Sequence, residues 1–270
     1  MLRLSVSELT TYSWSMSKDI EEYKNHGFTG IGVWRQKLSD LGEYRGLERL
    51  ATSGLTVSSL TWAGGFTGSD GRTHGESIED GLEAIRLAAA MQAECLIVYT
   101  GGRGGHTRHH SHRLVLLALE EMAGFASDLD VTLALEPMHP GCAADWTFLN
   151  SIEDAIATVD SVLSGTIKLV YDTYHLTQHG FHPGQLEEII DRIAIVHVGD
   201  SRQPPHNGEP NRCHLGDGVL PLQEVLATLD RLHFHGFCEV ELLGEDIEFS
   251  DYDELLRTSR QYLTQYASIA

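Results

Sequence analysis

Four side chains with metal-ligand chemistry stand at the ends of four successive apolar runs. The runs are Val131-Thr-Leu-Ala-Leu-Glu136, Ile167-Lys-Leu-Val-Tyr-Asp172, Ile193-Ala-Ile-Val-His197 and Phe237-Cys-Glu-Val-Glu241. Each run is short, rich in Val, Ile, Leu or aromatics, and followed by loop-forming residues, which is the pattern of a buried parallel strand. If the strands share one sheet, Glu136, Asp172, His197 and Glu241 converge at its carboxyl edge. Three crowded carboxylates repel, and a divalent cation is the ordinary way to hold them ionised side by side. Carboxylate and neutral imidazole together suit Mn²⁺, Mg²⁺, Co²⁺ or Zn²⁺, with Mn²⁺ the first choice.

Other residues near these strand ends offer substrate contacts. His175 follows Asp172 by three residues, so one turn aims both groups into the same mouth; a helix-capping or packed histidine is the alternative. Glu239 and Glu241 lie two apart and share a strand face. Glu241 is nearer the carboxyl end and is taken as the ligand, with Glu239 a layer deeper and the fallback. Arg202 lies five residues past His197 and is read as holding a substrate oxygen, with a rim ion pair as the alternative. Asp200, Arg212 and His214 belong to the same loop system and rank below it. Trp62 ends a strand and offers a flat face for a sugar, and Trp14, Trp34 and Trp146 occupy similar positions. His139, Arg103 and His106 complete the set of candidate substrate contacts. The Gly101-Gly-Arg-Gly-Gly105 run lacks both the dinucleotide fingerprint and the P-loop Lys-Ser/Thr.

The elements that must position these groups alternate throughout. Strands are expected at 2–6, 30–34, 56–62, 95–99, 131–136, 167–172, 193–198 and 237–242. Helical patterns are expected at 18–26, 42–53, 77–91, 113–129, 152–163, 185–191, 220–232 and 253–266. Ser77 and Ser151, each followed three residues later by Asp, read as helix N-caps. Gly27, Gly54 and Gly236 read as left-handed helix ends. Eight βα units in 270 residues, with no linker-like stretch, favour one (β/α)₈ barrel domain spanning 1–270, with the active site at the carboxyl ends of its strands.

Composition narrows the partners. The chain carries 19 basic and 39 acidic residues, a formal charge of −20, which repels a phosphate backbone and argues against nucleic acid. The densest basic stretch, Arg103 to Arg113, holds three Arg and four His and reads as a solvated or substrate loop. Cys95, Cys142, Cys213 and Cys238 form no CxxC pair, which suits a reducing compartment. With no apolar leader near Met1 and no run of 18 apolar residues, the expectation is a cytoplasmic chain that spans no membrane. Many barrels form homo-oligomers, and no segment here marks an interface.

Leu-Glu-Pro at 135–137, Asp-Thr-Tyr-His at 172–175, His197 with Asp200-Ser201, Asn211-Arg-Cys-His-Leu-Gly-Asp-Gly218 and Val240-Glu241 resemble the xylose isomerase-like barrel superfamily, the sugar phosphate isomerases/epimerases. The resemblance covers most of the chain and is concentrated in its second half. It implies a (β/α)₈ barrel and one divalent cation held by Glu136, Asp172, His197 and Glu241. By analogy with the ketose 3-epimerases of the group, Glu136 and Glu241 act as acid and base on opposite faces of a metal-stabilised enediolate, and His175 and Arg202 bind substrate oxygens. Two departures stand out. Many members carry Lys where this chain has Gly199. The endonuclease IV branch needs extra zinc ligands, and these fall on Asn211, Cys213, Trp62 and Thr100.

The expected activity is therefore a metal-dependent isomerase or epimerase of a sugar or related hydroxy-carbonyl compound, with a small-molecule carbohydrate as partner. The same carbon-acid chemistry also serves a lyase that dehydrates a keto-sugar or keto-inositol, and a non-catalytic metal-stabilised sugar-binding protein is a third reading. Without a long basic cluster, an unphosphorylated substrate is favoured.

Overall fold

The computed structural model describes residues 1–178, 180–205 and 208–266. Eight parallel strands close into a barrel: β1 (Arg3–Ser7), β2 (Gly30–Trp34), β3 (Thr56–Gly64), β4 (Leu96–Tyr99), β5 (Leu133–Leu135), β6 (Ile167–Asp172), β7 (Ile193–Val198) and, after a short antiparallel pair β8 (Asp200–Ser201) and β9 (Arg212–Cys213), β10 (Phe237–Val240), which pairs with both β7 and β1. The fold class matches the expectation. Among the described residues no helix is long and apolar enough to cross a membrane.

The alternation of the strands explains both the core and the site. A separate apolar cluster contains Ile97, Ala134, Val170, Ile195 and Phe237, one residue from each of β4, β5, β6, β7 and β10. Side chains two apart share a strand face. Two residues beyond Ala134, Val170, Ile195 and Phe237 come Glu136, Asp172, His197 and Glu239, so the polar groups stand on the apolar plug of the barrel interior. The larger core cluster, including Leu4, Ile31, Leu133, Leu169 and Val196, packs the strands' outer faces against the helices.

Several local expectations need correction. The helix expected to start at Ser77 runs from His74 to Ala90, because Thr73 and Glu76 form a reciprocal capping box. Ser77 is buried and donates to the Gly65 carbonyl at 3.1 Å. Ser151 does cap Ile152–Asp160, accepting from the Asp154 N–H. Gly54 is left-handed as expected, with φ 81°. Near Gly236 the left-handed residue is instead His233, with φ 54°. Gly236 supplies space, since a Cβ there would stand 2.4 Å from the Ala194 carbonyl oxygen. The helix expected at 185–191 contracts to Leu186–Ile189 between two 3₁₀ turns, and the short helices Arg35–Leu41, Pro140–Ala143, Thr173–Thr177 and Glu245–Glu248 add to the expected pattern.

Candidate metal centre

The four residues at the strand ends meet at one point. Glu136, Asp172, His197 and Glu241 each place a ligand atom within 4.8 Å of the other three, and all four are buried. The local backbone explains how. Glu136 follows the last residue of β5, with its N–H donated to the Val98 carbonyl. Asp172 closes β6 and caps the helix Thr173–Thr177, its Oδ1 accepting from the N–H groups of Tyr174 and His175 at 2.7 and 3.1 Å. That leaves Oδ2 for the cluster. In the strand register Asp172 lies beside His197, which lies beside Glu239. Glu241 follows β10, and its N–H is donated to the Val198 carbonyl.

His197 is the centre of the group. Its Nδ1 is 3.3 Å from Glu136 Oε1, 3.3 Å from Glu241 Oε2 and 3.8 Å from Asp172 Oδ2. Glu239 lies at the other edge of the ring, as its deeper register requires.

Arg212 joins the cluster, and Arg202 does not. Arg212 donates to Asp172 Oδ2 at 2.9 Å and to the Glu241 carbonyl at 2.7 Å, and sits 3.2 Å from Glu241 Oε2. Its guanidinium lies 4.6 Å from the Tyr174 ring centre. Arg202 is 57% exposed and pairs with Asp246 at 2.8 Å and Asp217 at 3.5 Å on the rim. The chain reaches this arrangement through Asp200. Its carboxylate accepts from the N–H groups of Gly216, Gly218 and Leu220, folding the Gly-Asp-Gly loop back and fixing β9. Gly199 completes it: a Cβ there would stand 2.7 Å from Arg212 Nη1. Where the resemblance leads one to expect a lysine, this chain instead has a glycine that leaves room for an arginine from β9. The sequence signal was present in Asn211-Arg-Cys-His-Leu-Gly-Asp-Gly218, but spacing from His197 favoured the nearer arginine.

His175 is held between two donors. The His139 backbone N–H points at its Nδ1 at 3.2 Å, and the Arg212 guanidinium points at its Nε2, so both ring nitrogens face donors. Burial, with Arg212 beside it, outweighs Asp172 and lowers the imidazole to about 4. Arg212 Nη2 is 3.4 Å from that Nε2. The His139 ring caps Pro140–Ala143, accepting from the Gly141 N–H. Trp62 stands over a cavity of about 350 Å³ that also touches Tyr99, Trp146, His175, Arg212 and Glu241. Its ring centre is 5.4 Å from those of Tyr99 and Trp146.

The two glutamates are electrostatically unequal. Burial raises Glu136 to about 7, with Glu241 and Asp172 adding to the rise and His197 opposing it. Burial also pushes Glu241 upward, but His197 and Arg212 together win and hold it at about 2. Burial works against the imidazolium of His197, yet Glu241 and Glu136 raise its pKa well above the usual value. The donor set fits a divalent cation. Three carboxylates and an imidazole nitrogen converge, and Glu136 Oε2 is buried without a hydrogen-bond partner among the described residues.

Comparison with known proteins agrees with this fold. A family model described as xylose isomerase-like TIM barrel matches residues 20–266. The D-psicose 3-epimerase of Enterocloster bolteae is 31% identical over 123 residues, 46% of this chain, and the match spans 37% of that protein's length. An inosose isomerase of Bacillus velezensis is 22% identical over 96% of this chain and 95% of its own. Among solved structures, protein SMc04130 from Sinorhizobium meliloti 1021 superposes with a TM-score of 0.89 at 25% identity, covering 98% of both chains. The IOLI protein, solved with a bound zinc atom, gives 0.85 at 21% identity over 99% of this chain and 100% of that one, a likeness of fold. The family match takes in all four converging side chains and seven of the eight barrel strands, and the chain accordingly belongs to the xylose isomerase-like TIM-barrel family.

Proposed function

We propose that this chain is a divalent-metal-dependent isomerase or epimerase of an unphosphorylated sugar or related hydroxy-carbonyl compound. The carrying observation is the pair of buried carboxylates Glu136 and Glu241, each 3.3 Å from His197 Nδ1. Such a pair suits moving a proton off and back onto one carbon. The names of the psicose epimerase and inosose isomerase relatives support the reaction class, and the zinc in the IOLI structure supports a cation in this fold.

Glu136, Asp172, His197 and Glu241 would hold the cation, with Mn²⁺ the first choice. When bound, a divalent ion polarises a carbonyl and its neighbouring hydroxyl and so acidifies the carbon between them. Glu136 and Glu241 are the two carboxylates placed to take its proton and return it. His175 and Arg212, 3.4 Å apart at Nε2 and Nη2, face the same cavity and are suited to orienting a substrate oxygen. Trp62, Tyr99 and Trp146 shape the remaining wall. Arg212 is already engaged by two carboxylates, which supports an unphosphorylated substrate.

The test is exchange of substrate hydrogen in D₂O, using ketoses, keto-inositols and hydroxy-keto acids with the Mn²⁺-loaded protein. Deuterium should enter next to the carbonyl of at least one compound, without loss of water. Incorporation with water loss would point to a dehydratase, and binding with no exchange to a sugar-binding protein.

A further inference from the structure

We propose that Glu239 is a positioning residue for this centre. Its carboxylate takes the Nε2–H of His197, turns the Nδ1 lone pair toward Glu136, Asp172 and Glu241, and thereby strengthens cation binding. The proposal rests on the metal reading of that cluster.

Glu239 lies on β10 two residues before Glu241 and is fully buried. Its Oε2 accepts from Ser5 Oγ at 3.0 Å and from Ser58 Oγ, and its Oε1 accepts from Ser59 Oγ at 2.9 Å. A Cβ on Gly32 would stand 2.3 Å from Oε1. Strands β1, β2 and β3 thus supply three hydroxyls and one missing side chain around a single carboxylate. A buried carboxylate is expensive, and an apolar residue of similar volume is often as stable or more so. Stability alone does not explain this cradle.

His197 supplies the other half of the argument. Its Nδ1 faces the three cluster carboxylates at 3.3 to 3.8 Å. Its Nε2 is buried without a hydrogen-bond partner among the described residues, and Glu239 Oε1 faces it at 3.7 Å. That is a few tenths of an ångström beyond an N–H···O bond and too short for a water between. An imidazole that gives Nδ1 to a cation carries its proton on Nε2. A carboxylate behind that proton fixes the tautomer and makes the ring a better ligand, and removing such a partner typically weakens metal binding about 10–100-fold.

The experiment is Mn²⁺ titration of metal-stripped full-length protein, with thermal unfolding of the metal-free form, for wild type, Glu239→Gln and Gly32→Ala. Gln keeps the shape and loses the charge; the Gly32 methyl crowds the carboxylate in case Glu239→Gln folds poorly. Glu239→Gln should bind Mn²⁺ about 10–100-fold more weakly while its metal-free Tm stays level or rises. In the Zn²⁺-loaded wild type, ¹⁵N NMR should find the His197 proton on Nε2. Binding within twofold of wild type in both variants, or a His197 proton on Nδ1, would overturn the proposal alone. So would a metal-free Tm that falls together with affinity in both variants, the mark of a purely structural plug. A wild type that takes up no divalent ion would overturn the metal reading and this proposal with it.

Discussion

Arg212 Nη2 lies 2.9 Å from Asp172 Oδ2, joining β9 to the end of β6 at the heart of the cluster. The contact places a permanent cation among three carboxylates that otherwise attract a metal ion. Arg212 therefore has two opposed effects. It compensates buried negative charge when the site is empty, and it competes electrostatically with a bound ion.

Replacing Arg212 should separate these effects. Arg212→Met should lower the metal-free Tm strongly, because breaking a buried pair costs about 3–5 kcal/mol. The same change should tighten Mn²⁺ binding while lowering kcat/KM. Arg202→Ala, on an exposed rim pair, should move stability by no more than about 1 kcal/mol and leave kcat/KM within threefold. Thermal scans, metal titration and steady-state kinetics on both variants test this; a larger kinetic loss in Arg202→Ala would return the substrate-binding role to Arg202.

The metal ligands should be separable from the fold. Alanine at Glu136, Asp172, His197 or Glu241 should each abolish stoichiometric metal on elemental analysis. Full occupancy in both Glu136→Ala and Glu241→Ala would remove them as ligands. Glu136→Gln or Glu241→Gln should slow substrate exchange by about two orders of magnitude or more, the usual loss of a positioned acid or base. His175→Ala should chiefly raise KM.

Metal stabilisation should grow with pH. In the metal-free protein Glu136 sits at about 7, against an ordinary 4.5. A carboxyl with a raised folded-state pKa favours folding fully below its unfolded value and loses that contribution as pH rises through the folded one. The metal-free protein should therefore weaken between about pH 4.5 and 7 on account of Glu136. A cation must displace that proton, so affinity below pH 7 should rise by up to roughly tenfold per pH unit for each proton released. The Tm gain on adding Mn²⁺ should be larger at pH 8 than at pH 6; an equal gain at both would contradict the Glu136 assignment.

DNA should not be a substrate. The positions that would supply extra zinc ligands are Trp62, Thr100, Asn211 and Cys213, and the chain carries a charge of −20. An abasic duplex should remain intact with added Zn²⁺ at low salt. Zinc-dependent incision that disappears in His197→Ala would refute this.

Strand alternation made much of the fold and the cluster legible in the sequence. Each of Glu136, Asp172 and His197 follows an inward apolar residue by two positions, at the carboxyl end of a β-branched run, and the barrel gathers such ends. The same period distinguished Glu241 from Glu239 by depth. Asp200 and Gly199 show where local pattern stopped. Their importance lies in holding a loop and clearing space for Arg212, thirteen residues beyond Gly199, and no local periodicity encodes that return. The serines around Glu239 come from β1 and β3, 180 residues or more from it along the chain. Sequence thus determined which side chains reach the mouth of the barrel, because strand period and ends are local properties. Tertiary structure decided which arginine joins them and what stands behind His197, because both depend on strands that meet only when the barrel closes.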